Sequence, residues 1–249
     1  PGAEPAVTGV EPLTTPDTTE PPDVTPPSLG LHITHAHFSP NGDRVRDKAF
    51  FTLTATEPVV VDIVIHNASG TARKVEQVAF GPGEHTVSWG GRIQRNGSWG
   101  RAPDGDYTVK FVAHDLAGND TKKTRTVTVD TTPPRMTWSS ITPDPWGATG
   151  GISYNFTTAD ASGPLQIWAT ASSRAGLLDR SSTTSHPVGA THLGWRPNYS
   201  DGTVFLPGNY YGAVRLIDEA GNESTSAFRA FRVDRSVSTV VVRRVEGAG

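Results

Sequence analysis

Cysteine is absent from the sequence. That excludes a disulfide framework, a thiolate metal centre and a cysteine nucleophile. Long apolar runs are also missing: the longest stretches are a few residues, far short of the roughly 18 consecutive apolar residues of a membrane-spanning helix. There is no basic excess either. With 22 Lys and Arg against 25 Asp and Glu, the net charge of −3 leaves no electrostatic footprint for nucleic acid. The catalytic signatures G-x-S-x-G, H-E-x-x-H, the phosphate loop and the dinucleotide fingerprint do not occur, the nearest string being NGSWG from Asn96, so the chain reads as no enzyme. No convincing amphipathic helix appears. What is abundant is glycine (26) and proline (20) in 249 residues, near 18% where average usage gives about 12%. That excess favours turns and short strands, and 35% apolar residues suffice for compact cores.

Residues 1–27 contain eight prolines, six threonines and five acids, and the first Lys or Arg of the chain is Arg44. Such a stretch has little apolar surface to bury, and its prolines favour extended polyproline II, so it reads as a disordered, semi-rigid Thr/Pro-rich linker. Linkers of this composition suit exported, multi-modular surface proteins, so the expected location is secreted or cell surface. The chain opens without a Met, a charged leader or an apolar leader; a signal peptide, if one existed, has been removed, and the chain reads as a mature or a cut piece.

Behind the linker, the sequence repeats itself. DVTPP (23–27) recurs as DTTPP (130–134), and FTLTATE (51–57) as YNFTTAD (154–160). GEHTVSW, ending at Trp89, matches GATHLGW, ending at Trp195; DGDYTVKFVAHDLAGND (104–120) matches PGNYYGAVRLIDEAGNE (207–223). The matches keep their order and nearly constant spacing, which fixes a tandem duplication with domains at 28–133 and 134–235. Within a copy the apolar period is two, as in Ala49, Phe51, Leu53, Ala55 and in Tyr107, Val109, Phe111, Ala113. That is the pattern of strands with one face in a core and one in water. Turn signals every 8–12 residues or so (NASG, GPG, PDG, AGN) predict about seven short strands per copy. The expected fold is all-β: two tandem immunoglobulin-like or fibronectin-III-like sandwiches. Residues 236–249 are expected to form a C-terminal strand or tail, with Val240, Val241 and Val242 suited to pairing outside the second sandwich.

FSPNGDRVRD (38–47), HNASG (66–70), GPGEHTVSWGGR (81–92), PDGDYTVKFVAHDLAGND (103–120) and DTTPP occur in an order that resembles the bacterial immunoglobulin-like domain named after the flagellar hook-capping protein. The resemblance covers nearly all of residues 36–134 and extends more weakly to the second copy, where Pro145, Trp146 and Gly147 replace the Asn-Gly-Asp turn. Arg44 stands where that family commonly has glycine. The resemblance implies a non-catalytic β-sandwich used as a spacer, adhesion or assembly unit; the flagellar role does not carry over, because the rest of a hook-capping protein is missing.

Three groups of residues are candidate sites. Asn41, Asp43 and Asp47 place oxygen donors two and four residues apart, a pattern able to face Ca²⁺ if Asp104, Asp106, Asp115 or backbone carbonyls complete its six to eight ligands (about that number by its ordinary chemistry). The competing reading is a polar turn. Trp99 and Trp146 lie in glycine-rich loops without matching partners, and are candidate platforms for a sugar ring or a protein side chain. His35 and His37 are two apart on a predicted strand and would face one side, though no third zinc ligand is nominated. DLAGN (115–119) and DEAGN (218–222) read as hairpin turns whose Asp bonds backbone amides. The functional expectation is a structural, assembly or adhesion module of a bacterial secreted or surface protein, with neighbouring modules, other copies of itself or a surface glycan as partner. The alternative is a glycan- or cell-wall-binding accessory module of a larger secreted enzyme.

Overall fold

Alternation decides which face each strand buries. Ala49, Phe51, Leu53 and Ala55 are all buried while Phe50 and Thr54 face out, and Val59, Val61, Ile63 and Ile65 repeat the pattern. The computed structural model describes residues 21–95, 97–144, 151–160, 163–173, 176–195 and 205–234. Most of the Thr/Pro-rich segment, Trp146 and the run 236–249 therefore lie outside the described residues.

The first half contains β1 (Leu29–Thr34), β2 (His37–Phe38), β3 (Ala49–Ala55), β4 (Val59–Asn67), β5 (Gly70–Phe80), β6 (Gly83–Trp89), β7 (Arg92–Arg95), β8 (Ser98–Arg101), β9 (Gly105–His114) and β10 (Asp120–Val129). The second contains β11 (Arg135–Thr142), β12 (Ile152–Ala159), β13 (Leu165–Ser173), β14 (Gly176–His186), β15 (Gly189–Trp195), β16 (Gly208–Ile217), β17 (Glu223–Thr225) and β18 (Arg229–Val233). Among the described residues there is no helix, and so none long and apolar enough to cross a membrane.

Each half is a two-sheet sandwich. The first packs a β1-β3-β6 sheet on a β2-β10-β9-β4-β5 sheet; the second packs β11-β12-β15 on a sheet of β14, β13 and β16, with β17 and β18 both pairing β16. The pairings of β4 with β5 and β9 are matched by those of β13 with β14 and β16. Each sandwich closes on its own core. In the first, Phe51 meets Phe111 at 5.3 Å, and Trp89 lies edge-on between Phe38 (5.4 Å) and Tyr107 (5.0 Å). In the second, Tyr154 contacts Trp138 and Phe231, and Phe205 stacks on Tyr210 at 5.0 Å. Removing such a side chain from water contributes roughly 1.5–3 kcal/mol, so these rings carry much of each core.

One device recurs in both halves. The Tyr107 hydroxyl donates to the carbonyl of Pro103 at 3.0 Å, and the Tyr210 hydroxyl to that of Leu206 at 2.7 Å. Each tyrosine is the third residue of its strand and bonds back four positions, the tyrosine corner of immunoglobulin-like sandwiches. It anchors the loop entering β9 and β16 without a disulfide.

Two expectations are corrected. His35 and His37 do not share a strand: His35 has a left-handed backbone (φ 61°), which ends β1 and sends the chain to the other sheet, where β2 pairs in parallel with β10. Trp99 is not in a loop. Gly97, at φ 78°, supplies the turn conformation that lets β7 and β8 pair as a hairpin, with Trp99 opposite Gln94.

Candidate functional site

The turn at 39–47 is built around its own main chain. Asp43 accepts from the Val45 amide (2.7 Å) and from the Asn41 side chain (2.9 Å); Asp47 accepts from the amides of Gly42 (2.7 Å) and Arg44 (2.8 Å). The Asn41 oxygen takes the Asp43 amide at 2.9 Å. Asn41, Asp43 and Asp47 are thus brought together, with every carboxylate oxygen already accepting a hydrogen bond. Asp104 is engaged elsewhere, with the hydroxyls of Thr131 and Thr132, and Asp106 with that of Thr128. Arg44 holds φ 74° and Arg46 φ 50°, a region that glycine enters without strain. Their conformation turns this loop toward the second sandwich.

There the loop meets the β16–β17 turn. The Arg46 guanidinium donates to the Glu219 carbonyl, the His37 ring lies 3.5 Å from the Glu219 carboxylate, and a Cβ on Gly221 would sit 2.9 Å from the Val45 side chain. A recess of about 410 Å³ opens beside them, lined by His35, His37, Arg46, Gln166, Asp218 and Glu219. Burial first, and then the Arg46 charge, lower the His35 pKa.

The connector 130–134 is bonded on both sides. Asp104 of the first sandwich holds Thr131 and Thr132 at 2.9 Å, and the Asp130 amide donates to the Phe38 carbonyl at 3.1 Å. From the second sandwich, the Asn222 side chain donates to the Asp130 carbonyl (2.9 Å) and the Ser224 hydroxyl to the Pro134 carbonyl (2.6 Å). The same docking occurs one repeat earlier: Asn119 donates to the Asp23 carbonyl at 3.1 Å and Thr121 to the Pro27 carbonyl at 2.5 Å.

This docking gathers acids that the sequence reading had left apart. Carboxylate oxygens of Asp130, Asp160 and Asp218 all lie within 4.8 Å of one another, and so do those of Asp23, Glu57 and Asp115. The two trios occupy equivalent places, each with one acid from the connector, one beyond the end of β3 or β12 and one beginning the turn after β9 or β16. In both turns the first Asp bonds the Asn four residues on: Asp218 accepts the amide and side chain of Asn222 at 2.8 Å, and Asp115 those of Asn119 at 2.8 and 2.9 Å. Those Asp-turn bonds are the hairpin-turn role read from the sequence.

The electrostatics of the two trios differ. Burial pushes the Asp218 carboxyl up to about 6, against the bonds from Asn222, and the neighbouring charges of Asp160 and Asp130 add to the rise. At Asp115 burial also raises the pKa, but the bonds from Asn119 and the amides of Gly118 and Ala117 outweigh it, leaving the carboxyl below its ordinary value.

Of the aromatic candidates, Trp99 is 51% exposed, with the Arg73 guanidinium 5.5 Å from its ring, at the rim of a recess shared with Arg92. Trp89 is buried core, as its equivalence across the duplication predicted.

Fold and junction together define a tandem pair of immunoglobulin-like sandwiches with a docked connector. Residues 60–131, from β4 to the connector, match the family described as bacterial Ig-like domain. No curated protein matches the sequence. Among solved structures, the chain is similar to a tetra-tandem repeat from the extending region of a large adhesion protein (19% identity, 84% of this chain and 50% of that one, TM-score 0.38). It is also similar to fibronectin(III)-like modules of Clostridium thermocellum CbhA (12% identity, 86% and 100%, TM-score 0.39) and to the FN1–FN3 domains of chicken CNTN1 (15%, 86% and 68%, TM-score 0.37). The chain thus spans half the length of the adhesion-protein fragment.

Proposed function

We propose that this chain is a non-catalytic structural module of a bacterial secreted or surface protein, two copies of a domain of the hook-capping type that hold neighbouring parts at a fixed spacing. The observation that carries this reading is the connector: it is short, and both sandwiches bond its backbone or hydroxyls. Pro133 and Pro134 add fixed φ angles and hold Thr132 extended. A linker built this way resists bending, which suits spacing or adhesion and serves no catalytic step. The Thr/Pro-rich segment before it suits an exported chain, and the bacterial Ig-like match fits the same setting. Small-angle scattering of the chain should give an elongated particle of two lobes, unchanged with salt; a compact single-lobed particle contradicts the reading.

A second reading rests on Trp99. An exposed indole flanked by Arg73 and Arg92 is a platform on which a sugar ring stacks while the guanidinium groups bond its hydroxyls. Trp99→Ala should abolish retention on a cell-wall glycan array if this surface binds; equal retention by wild type and variant removes it.

A further inference from the structure

We infer that the acid trio at the junction, formed by Asp130, Asp160 and Asp218, is a calcium site. Three carboxylates drawn within 4.8 Å of each other repel, and folding assembles that arrangement twice, at the same place in each copy. At the junction the acids are mostly out of water: Asp130 and Asp218 are each 3% exposed. No Lys, Arg or His among the described residues pairs with either of them. One oxygen of Asp130, Oδ2, is buried without any hydrogen-bond partner, and Oδ1 of Asn222, whose side-chain amide bonds both Asp218 and the Asp130 backbone, is a second such atom. A buried, unpaired carboxylate oxygen is costly unless something positive meets it.

The donor set selects the ion. Only oxygen is offered, which disfavours zinc, a metal that takes imidazole and thiolate. Carboxylates delivered by three separate segments give an irregular shell, which Ca²⁺ accepts and Mg²⁺, held to near-octahedral geometry and reluctant to shed water, does not. Asp130 belongs to the connector, whereas Asp160 and Asp218 belong to the second sandwich. An ion bridging them ties the connector to the domain it introduces.

Calorimetric titration of the full 249-residue chain with CaCl₂, after EGTA treatment and up to about 10 mM to cover the weak range of extracellular modules, tests this. One ion is expected per chain in wild type and in Glu57→Gln, and none in Asp160→Asn, with Mg²⁺ giving no comparable heat. Relative to its own melting point in EGTA, Asp160→Asn should gain less from calcium than wild type gains. No binding by wild type overturns the proposal. So does binding that survives undiminished in Asp160→Asn, since that places the ion elsewhere, the 41–47 turn included. Loss of the ion in Asp160→Asn with its retention in Glu57→Gln supports the junction site.

Discussion

Gly212 lies on β16 where a Cβ would stand 2.6 Å from the Tyr154 hydroxyl and 3.0 Å from Ile141. Tyr154 is fully buried and donates to the Thr170 carbonyl at 3.0 Å, so it has nowhere to retreat. Gly212→Ala should therefore cost about 1–3 kcal/mol, as overpacked cores do, and urea unfolding of the variant measures it. Asp218 gives a second prediction at this scale. Its carboxyl holds a proton up to about pH 6 in the folded chain, against an ordinary value of 3.8. The folded state thus binds more protons than the unfolded between those values, and the stability from this group declines as pH rises through that window. In EGTA, the melting point of wild type should fall relative to Asp218→Asn between pH 4 and 6 (about the window set by the shift); parallel curves contradict it. Individual acids were visible in the sequence, each inside a duplicated motif. Their convergence was not, because it depends on where three segments distant in sequence end in space.

The strands were legible because burial on one face writes a period of two into the residues, as in β3 and β9. The hairpin turns were legible as well: Asp115 and Asp218 each cap the main chain of their turn. What the sequence did not disclose was the break at His35, since a left-handed histidine leaves no compositional mark, or the β7–β8 hairpin, which is too short to show alternation. Turn and connector form one element, with Asn at its centre. Asn222 is 2% exposed and its side chain donates to both the Asp130 carbonyl and Asp218. Asn119 makes the equivalent bonds to Asp23 and Asp115 on a more open surface. Removing a buried donor strands its acceptors at about 1–3 kcal/mol, while a solvated acceptor finds water. Asn222→Ala should accordingly destabilise its sandwich by about 2 kcal/mol, and Asn119→Ala its own by clearly less. Denaturant unfolding of the two variants compares them directly.

At the scale of the whole molecule, duplication and the paired prolines made a short, stiff connector readable, and the bonds that fix it were not. The repeated DTTPP announced a short connector, but the bonds that fix it come from Asp104, Asn222 and Ser224, and the loop at 44–46 packs on the turn at 219–221 through backbone conformations unusual for arginine. A connector held by both neighbours, with a loop of one sandwich seated on the other, is the basis of the proposed stiffness. The central claim is that stiffness, and backbone ¹⁵N relaxation measures it most directly. The account predicts that amides of both sandwiches report one shared, anisotropic tumbling set by the mass of the pair. Separate, faster correlation times for each sandwich, as two beads on a loose string would show, would contradict it.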